Sequence, residues 1–431
     1  MKVLIVSHNP ISTFQSIGKT LRTLLSACSP DELCQFYIYP SLSDVHACNS
    51  CYRMTDKEIL RSYFFRRAGR EILPSEIDGA GHKLFENEKD EALYRNRKNK
   101  TPGRMLLRDL MWKCSHWCNK SLRAWVEREK PTCIFLAPGE AKFLYNIALK
   151  LSKTYRLPIV TYICDDVYFF RSEKRLSERL RLWLLRRKVE QTLRRSVHLI
   201  AISRELEQAY SEKFGIPATT VMTGSSCPIA REGRNPETVS GLTYMGNIRY
   251  NRYLCLSEIG QELDAINAEK GTHYTLDLYT GEKNEEILAE LRKSASIRLM
   301  GFVSGDEFDR VFRNADLLVH TEAFDEKNRD GVKFSVSTKI ADCLAGGNCL
   351  FAYGPDSVAS MRHLIDNNCA ICATSREELR EKLTEALENG ELRAATVRNA
   401  LETARRCHDS QKNGAVCREI LERAGEEVKN G

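Results

Sequence analysis

Short apolar runs alternate with longer amphipathic stretches twice along this chain. In the first half, runs at 2–7, 34–40, 132–138, 159–165, 198–203 and 219–224 read as buried strands, with helices at 16–27, 105–130, 141–155 and 204–214 between them. A second set comes after it, with strands at 242–246, 274–280, 297–302, 317–320, 348–353 and 370–374 and helices at 252–268, 285–293, 306–314, 358–366 and 376–387. Strands that alternate with helices of this length predict an α/β protein built on doubly wound parallel sheets. The stretch 41–104, charged and punctuated by Pro74, Gly79, Gly81 and Pro102, breaks the rhythm and reads as an insertion with some helix. REGRNPETVS at 231–240 is polar, contains Pro236 and reads as an interdomain linker. The expected organisation is therefore one domain over 1–235, a second over 236–395, and a helical tail over 396–431 with a break at Asn413-Gly414.

Length and composition narrow the class. A chain of 431 residues is long enough for two or three domains, and 42% hydrophobic residues argue against general disorder. No apolar run approaches the length that spans a bilayer, and MKVLIVSHNP has too short an apolar segment for a signal-peptide core, so a cytoplasmic location is expected. The 16 cysteines are scattered through predicted elements, and in a reducing compartment they are expected to be free thiols. Cys48-x-x-Cys51 and Cys369-x-x-Cys372 have metal-like spacing, and Cys114 and Cys118 have helical spacing. Cys48, Cys51, Cys114 and Cys118, with His46 and His116 nearby, include enough ligands for a zinc site. Nothing in the sequence brings the two pairs together, so no metal is expected.

Charge is concentrated in one element. The stretch 171–195, opened by Arg171 and closed by Arg195, holds ten Lys and Arg against three Glu, an excess equal to the +7 of the whole chain. Leu182, Leu185, Val189 and Leu193 form a helical stripe with Trp183 beside it. This pattern fits first a core-packed helix with a solvated basic face, and second a helix edge that docks on anionic lipid. Arg95, Arg97, Lys98, Lys100 and Arg104 extend the basic character. No nucleic-acid-binding module is recognisable.

The chemistry points to 317–354, LLVHTEAFDEKNRDGVKFSVSTKIADCLAGGNCLFAYG: a buried strand, a polar loop, a short helix over 337–345, Gly346-Gly347 and a second buried strand. Ser335, Ser337 and Thr338 stand where that helix begins. A helix N-terminus presents unpaired N–H groups and partial positive charge, which suits a phosphate. Lys339 adds a formal charge, and Asp342, one turn beyond Thr338, is placed to accept from ribose hydroxyls. An ordinary capped helix between two strands has the same pattern. Asp165-Asp166 close the apolar run IVTYIC, at the strand end where ligands of open α/β sheets gather. Adjacent residues alternate in direction, so only one faces such a site, and a helix N-cap pair explains them as well. GxGxxG is absent after the first strand, which disfavours dinucleotide binding. That strand leads instead into Ser7-His8-Asn9-Pro10 and then Gly18. Tyr244-Met245-Gly246-Asn247-Ile248-Arg249-Tyr250-Asn251-Arg252 opens the second half: a glycine for close backbone approach and guanidinium forks matched to phosphate oxygens.

These segments resemble the donor site of retaining glycosyltransferases of family four. That family has the GT-B fold, two Rossmann-like domains facing a central cleft, and a Glu, seven residues, then Glu pattern. Asp342 and the glycines after it fit the second acidic position; the first falls at Phe334, leaving Glu322 or Asp325 of the loop as the acid in its place. Closer still is a subgroup of bacterial glycan-assembly type, with an E-x-F-D-E-K-N loop (Glu322 to Asn328 here) and an S-x-S-T-K-I segment (Ser335 to Ile340 here). The resemblance implies transfer of a sugar, with retention, from a nucleotide-diphosphate sugar to a glycan or lipid-linked glycan, without cofactor or metal. It implies donor binding by Gly246, Asn247, Arg249, Arg252, Thr280, Gly281, Phe302, Glu322, Ser335, Ser337, Thr338, Lys339, Ile340 and Asp342. Asp165, Asp166 and Lys339 are the implied catalytic groups, and Ser7, His8, Asn9 and Gly18 the acceptor side, near the 41–104 insertion. The implied partners are the nucleotide sugar, the acceptor and an anionic membrane surface, not nucleic acid. The rival readings are a nucleotide-sugar 2-epimerase of the same fold and a non-catalytic partner that binds a nucleotide sugar or scaffolds glycan assembly.

Overall fold

The computed structural model describes residues 1–13, 16–65, 68–78, 101–170 and 175–427. Arg95, Arg97, Lys98, Lys100, Gly79, Gly81 and Arg171 lie outside them. The chain divides into two compact units, Met1–Thr223 with Ser410–Gly431, and Gly224–Asp409.

The first unit is an eight-stranded sheet of β1 (Val3–Ser7), β2 (Leu33–Tyr37), β3 (Ser50–Arg53), β4 (Arg70–Ile72), β5 (Cys133–Ala137), β6 (Ile159–Ile163), β7 (Ser196–Ala201) and β8 (Ala218–Thr220), in the spatial order β4-β3-β2-β1-β5-β6-β7-β8. Every pairing is parallel except β3 with β4. β1, β2, β5 and β6 are buried at every position, as parallel strands covered by helices on both faces must be. The stretch 41–104 is therefore more than an inserted loop. It supplies β3, β4 and the helices Asp56–Phe65, Pro74–Asp78 and the start of Pro102–Cys114. Strands of four and three residues at a sheet edge are too short to show a period of two. The helix expected over 105–130 is two helices, Pro102–Cys114 and Lys120–Glu129, the second capped by Asn119, whose side chain accepts from the Leu122 amide.

The second unit carries a six-stranded parallel sheet: β9 (Gly241–Met245), β10 (Thr275–Tyr279), β11 (Ile297–Gly301), β12 (Leu317–Thr321), β13 (Cys349–Tyr353) and β14 (Ile371–Ala373), in the order β11-β10-β9-β12-β13-β14. Its core joins Leu242, Leu276, Leu317 and Phe351 of the strands to Leu256, Ile259 and Leu263 of the helix Arg252–Lys270. The polar loop after β12 contains a helix that the hydropathy pattern does not show, Glu326–Val332, started by Asp325, which accepts from the Asn328 amide.

The junction between the units is earlier than expected, after Thr223, and the polar segment 231–240 lies inside the second unit. Its backbone is satisfied there: the Arg234 amide donates to Gly347 at 2.7 Å and the Arg393 guanidinium donates to Pro236 at 3.1 Å. The tail breaks at His408-Asp409, between the helices Gly390–Cys407 and Ser410–Glu427, and not at Asn413-Gly414. The last helix belongs to the first unit, where Cys417, Ile420, Leu421 and Ala424 pack with Leu21 and Leu24. Asn413 and Gly414 are packing residues in it. The Asn413 side chain donates to Met222 at 2.8 Å, and a Cβ on Gly414 would meet Ser26 Oγ at 2.3 Å and the Ala27 amide nitrogen at 3.0 Å. Gly414→Val is expected to destabilise the first unit by about 1–3 kcal/mol, the usual range for overpacking. Gly331→Ala, at a position with no atom within 4 Å of the added carbon, should leave stability unchanged or slightly raised; urea unfolding of both variants checks the contrast.

Candidate functional site

In the second unit the sheet changes direction between β9 and β12: β10 and β11 lie beyond β9, β13 and β14 beyond β12. At the carboxyl ends of two such strands the loops leave toward opposite faces, and the crevice between them is where open α/β sheets bind ligands. Gly246, directly after β9, has φ +136°, a conformation L side chains rarely adopt. A Cβ there would stand 2.9 Å from Lys339 Nζ, so glycine also makes room for the lysine. Lys339 is in the first turn of the helix Thr338–Ala345. Its ammonium donates to Met245 O at 3.2 Å and lies 4.5 Å from the centre of the buried Tyr244 ring, with Tyr244 Oη 3.5 Å away. The sequence pattern does not single out Tyr244; its one signal is a tyrosine pointing inward just before Gly246.

Two further cations expected to hold phosphate are already paired. Arg252 meets Glu322 through Nε to Oε2 at 3.2 Å and Nη2 to Oε1 and Oε2 at 3.1 and 2.9 Å. Glu322 is almost fully buried, and His320 Nε2 lies 3.3 Å from its Oε1. Burial alone would raise the Glu322 carboxyl, but the hydrogen bonds and charges of His320 and Arg252 outweigh it and hold it at about 2. Burial pushes the His320 imidazole below its ordinary value, against the pull of Glu322. Arg249 is 3.6 Å from Glu282. Lys339 has no carboxylate partner among the described residues and is the uncompensated cation at these strand ends.

The hydroxyl-rich turn is divided in use. The Ser337 amide donates to Ser360 Oγ at 3.1 Å, and Ser360 Oγ donates to Ser335 O at 3.1 Å, so Ser360, which the sequence does not suggest, staples the turn. The Ile340 side chain is core and its amide is bonded to Ser337 O, which removes it from the set of ligand-facing groups. The amides of Thr338 and Lys339 have no partner among the described residues. Asp342 is half-buried and its Oδ1 accepts from the Ser226 amide at 2.8 Å and Ser225 Oγ at 3.2 Å, so it also secures the 225–226 turn. Asn247 Oδ1 accepts from the Arg249 amide, and Asn251 donates to Asp325, which fastens the loop after Gly246 to the loop after β12. Thr280 is buried after β10, and the largely exposed Phe302 ring lies over Gly281, 3.5 Å from where a Cβ would be.

In the first unit the aspartate pair separates as alternation demands. Asp166 accepts from the amides of Tyr168 and Phe169 at 2.9 Å, Phe170 at 2.7 Å and Tyr210 Oη at 2.9 Å. Its carboxylate is occupied in holding the 167–170 turn. Asp165 is exposed and lines a small recess with Ala137, Gly139, Tyr145 and Cys164. The Ser7 hydroxyl is buried, donating to Asn9 O and accepting from Gln35, while His8 Nδ1 is 2.9 Å from Asn9 Oδ1. Gly18 lets its helix touch the loop before it, since a Cβ would be 2.5 Å from Pro10 O. All four are accounted for by packing of that loop. Cys48 and Cys51 are buried, and among the described residues no group of three or more His, Cys, Asp or Glu is arranged for a metal ion.

Comparison with known structures agrees on architecture. HepE of Anabaena, solved with UDP, superposes over 98% of this chain and 100% of its own with a TM-score of 0.62 at 12% identity. The chain has the GT-B fold. Two other GT-B structures are as similar. The UDP-forming α,α-trehalose-phosphate synthase of Burkholderia xenovorans, solved with glucose-6-phosphate, gives a TM-score of 0.59 at 12% identity, covering 99% of this chain and 100% of that one. Sucrose-phosphate synthase of Thermosynechococcus elongatus gives 0.62 at 10%, covering 98% and 99%. Residues 264–419 match the family model described as glycosyl transferase-like, a span mostly within the second unit, which holds Glu322 and Lys339. No curated protein sequence matches the chain.

The Glu322 pair makes the stability of the second unit depend on acid. The folded carboxyl titrates below its ordinary 4.5, so the unfolded chain takes the proton first; the stabilisation is complete above that value and is lost as pH falls toward 2. Glu322→Ala leaves the half-buried Arg252 without its partner and should cost up to about 3–5 kcal/mol at pH 7. The loss should shrink below about pH 4, as read by thermal melts across pH.

Proposed function

We propose that this protein is a glycosyltransferase that takes a sugar from a UDP-sugar and passes it to a glycan or lipid-linked glycan in polysaccharide assembly. The observation that carries the reading is Lys339, an uncompensated ammonium beside two open helix amides and a glycine turn, at the switch point of a sheet in a GT-B chain. UDP as the donor nucleotide is carried over from HepE and from the UDP-forming trehalose-phosphate synthase.

In this reading the diphosphate lies against Gly246, Ser337, Thr338 and Lys339, with the base toward Thr280, Gly281 and Phe302. Asp342, held by the 225–226 turn, meets the ribose. Arg252 contributes through the nitrogen that Glu322 leaves uncovered, and Glu322 sets its direction. The bond from the anomeric carbon to the diphosphate oxygen breaks, and Lys339 with the amides stabilises the charge that develops there. The acceptor hydroxyl forms the new bond on the same face of the sugar and gives its proton to the leaving phosphate, which is the retaining course that the family resemblance implies. Because lysine and amides supply the positive charge, the reading needs no metal. Asp165, exposed at the carboxyl end of β6, is the aspartate proposed to polarise the acceptor. The basic helix Leu176–Leu193 is proposed to rest on the inner face of an anionic membrane, where a lipid-linked acceptor would lie.

A thermal-shift panel of nucleoside diphosphates tests the donor: UDP should raise the melting temperature, and a concentration about one hundred times its dissociation constant should add about 2.7 kcal/mol. Lys339→Ala is expected to abolish that shift without lowering the melting temperature of the free protein, and to slow release of UDP from the donor by roughly 10²–10³-fold. Asp165→Asn should keep the UDP shift and lose transfer. Tight UDP binding with no turnover of any UDP-sugar would turn the reading to the non-catalytic partner.

A further inference from the structure

Three helices of the first unit, Asp56–Phe65, Pro102–Cys114 and Leu176–Leu193, pack side by side, with Pro102–Cys114 touching both others. Tyr63 Oη donates to Met111 O at 2.6 Å, and Asp56 accepts from Trp112 and Arg108, so the first two are firmly joined. Their outward faces run against the usual rule. Helix Leu176–Leu193 turns Leu176, Leu180, Trp183 and Arg187 to solvent at i, i+4, i+7 and i+11, while Leu182, Leu185 and Val189 enter the core. Helix Pro102–Cys114 exposes Leu107 and Leu110 on one stripe, 67% and 54% accessible, and helix Asp56–Phe65 exposes Phe64 and Phe65 at 84% and 73%. Each of these surfaces would ordinarily be buried or polar.

The charge on the same faces has one sign. Every exposed charged side chain on the three helices is a lysine or arginine, Arg61, Lys113, Arg179 and Arg187 among them. The acids of these helices are all at least half-buried. Asp56 is drawn to Arg108, Asp109 to Lys142, Glu190 to the Tyr168 hydroxyl and Glu58 to the Thr55 hydroxyl. Arg187 lies over the Trp183 ring at 4.7 Å, and the indole is half exposed. A protein partner of mixed charge would not call for this combination. Aromatic and aliphatic side chains interspersed with exposed lysines and arginines of the same helices match the boundary between acyl chains and acidic headgroups.

We infer that this three-helix face is a membrane-insertion surface that seats Phe64, Leu107, Leu110 and Trp183 in the interfacial region of an anionic bilayer. The inference deepens the membrane placement proposed above by replacing electrostatic adhesion of one basic helix with insertion of an apolar face. It is independent of sugar transfer, so its failure and the failure of the glycosyltransferase reading are separate results.

The test uses the full chain in flotation with vesicles of phosphatidylcholine alone and with acidic phosphatidylglycerol added. Binding to the acidic vesicles, weaker but still present at high salt, with a blue shift of tryptophan emission, is the expected result. The other tryptophans, Trp112, Trp117 and Trp125, are buried, so the shift reports Trp183 and should vanish in Trp183→Phe. Phe64→Ser with Leu107→Ser should weaken binding by roughly tenfold or more at any salt concentration, as expected for lost apolar burial. Lys113→Glu with Arg179→Glu should weaken it roughly tenfold at low salt only. Unaltered melting temperatures keep these exposed substitutions interpretable. The inference is overturned if the chain fails to float with acidic vesicles at low salt, or if high salt releases it fully and the Phe64/Leu107 variant binds like the parent. It is equally overturned if the chain forms a concentration-dependent dimer that this variant abolishes, since the face then belongs to a second copy.

Discussion

Removing a carboxylate from water costs several kcal/mol unless opposite charge and hydrogen-bond donors accompany it, and Glu322 is buried at the end of β12 with both. The guanidinium that neutralises it comes from the first residue of the helix after β9, on the other side of the switch point. One buried pair thus ties together the two halves of the sheet where their loops diverge. The pairing also decides the electrostatics above it. With Arg252 committed to Glu322 and Arg249 close to Glu282, Lys339 is left as the positive charge without an acidic neighbour. The glycine turn, the tyrosine ring and the open helix amides all serve to place that charge.

Much of this architecture is legible in the sequence because its signals are strong and local. The buried parallel strands VLIVS, CIFLA, IVTYI and CLFAY are continuous apolar runs, and the helices between them show clear amphipathic spacing or caps. The S-x-S-T-K-I segment and the glycine after β9 mark the right region of the second unit. What escapes is whatever depends on a partner distant in sequence. Nothing local in Arg252 reveals that Glu322, seventy residues later, will take its charge. Asp166 looks as reactive as Asp165 until the backbone curls to point three amides at it. Ser360 and Tyr244 are invisible as site residues because their roles come from the helix and strand they happen to face.

The same limit explains the misread boundaries. REGRNPETVS has the composition of a linker, yet its Arg234 amide and Pro236 carbonyl are bonded to Gly347 and Arg393, which a reading of hydropathy cannot anticipate. Asn413-Gly414 carries the usual chemistry of a helix stop, but there the glycine is selected by contact with Ser26 and Ala27, and tertiary packing overrides local preference. β3 and β4 are stabilised by their position beside β2 more than by any pattern of their own.

The closing helix Ser410–Glu427 has a consequence for how the protein is made. Because the first unit is assembled from Met1–Thr223 and this distant segment, its core stays incomplete on the ribosome until residues 410–427 have been made. The second unit is one uninterrupted stretch, Gly224–Asp409, so all the chain of its own core is present once it has emerged. The second unit's chain is thus complete before the first unit's, whose groove for Cys417 and Leu421 is still uncovered at that point.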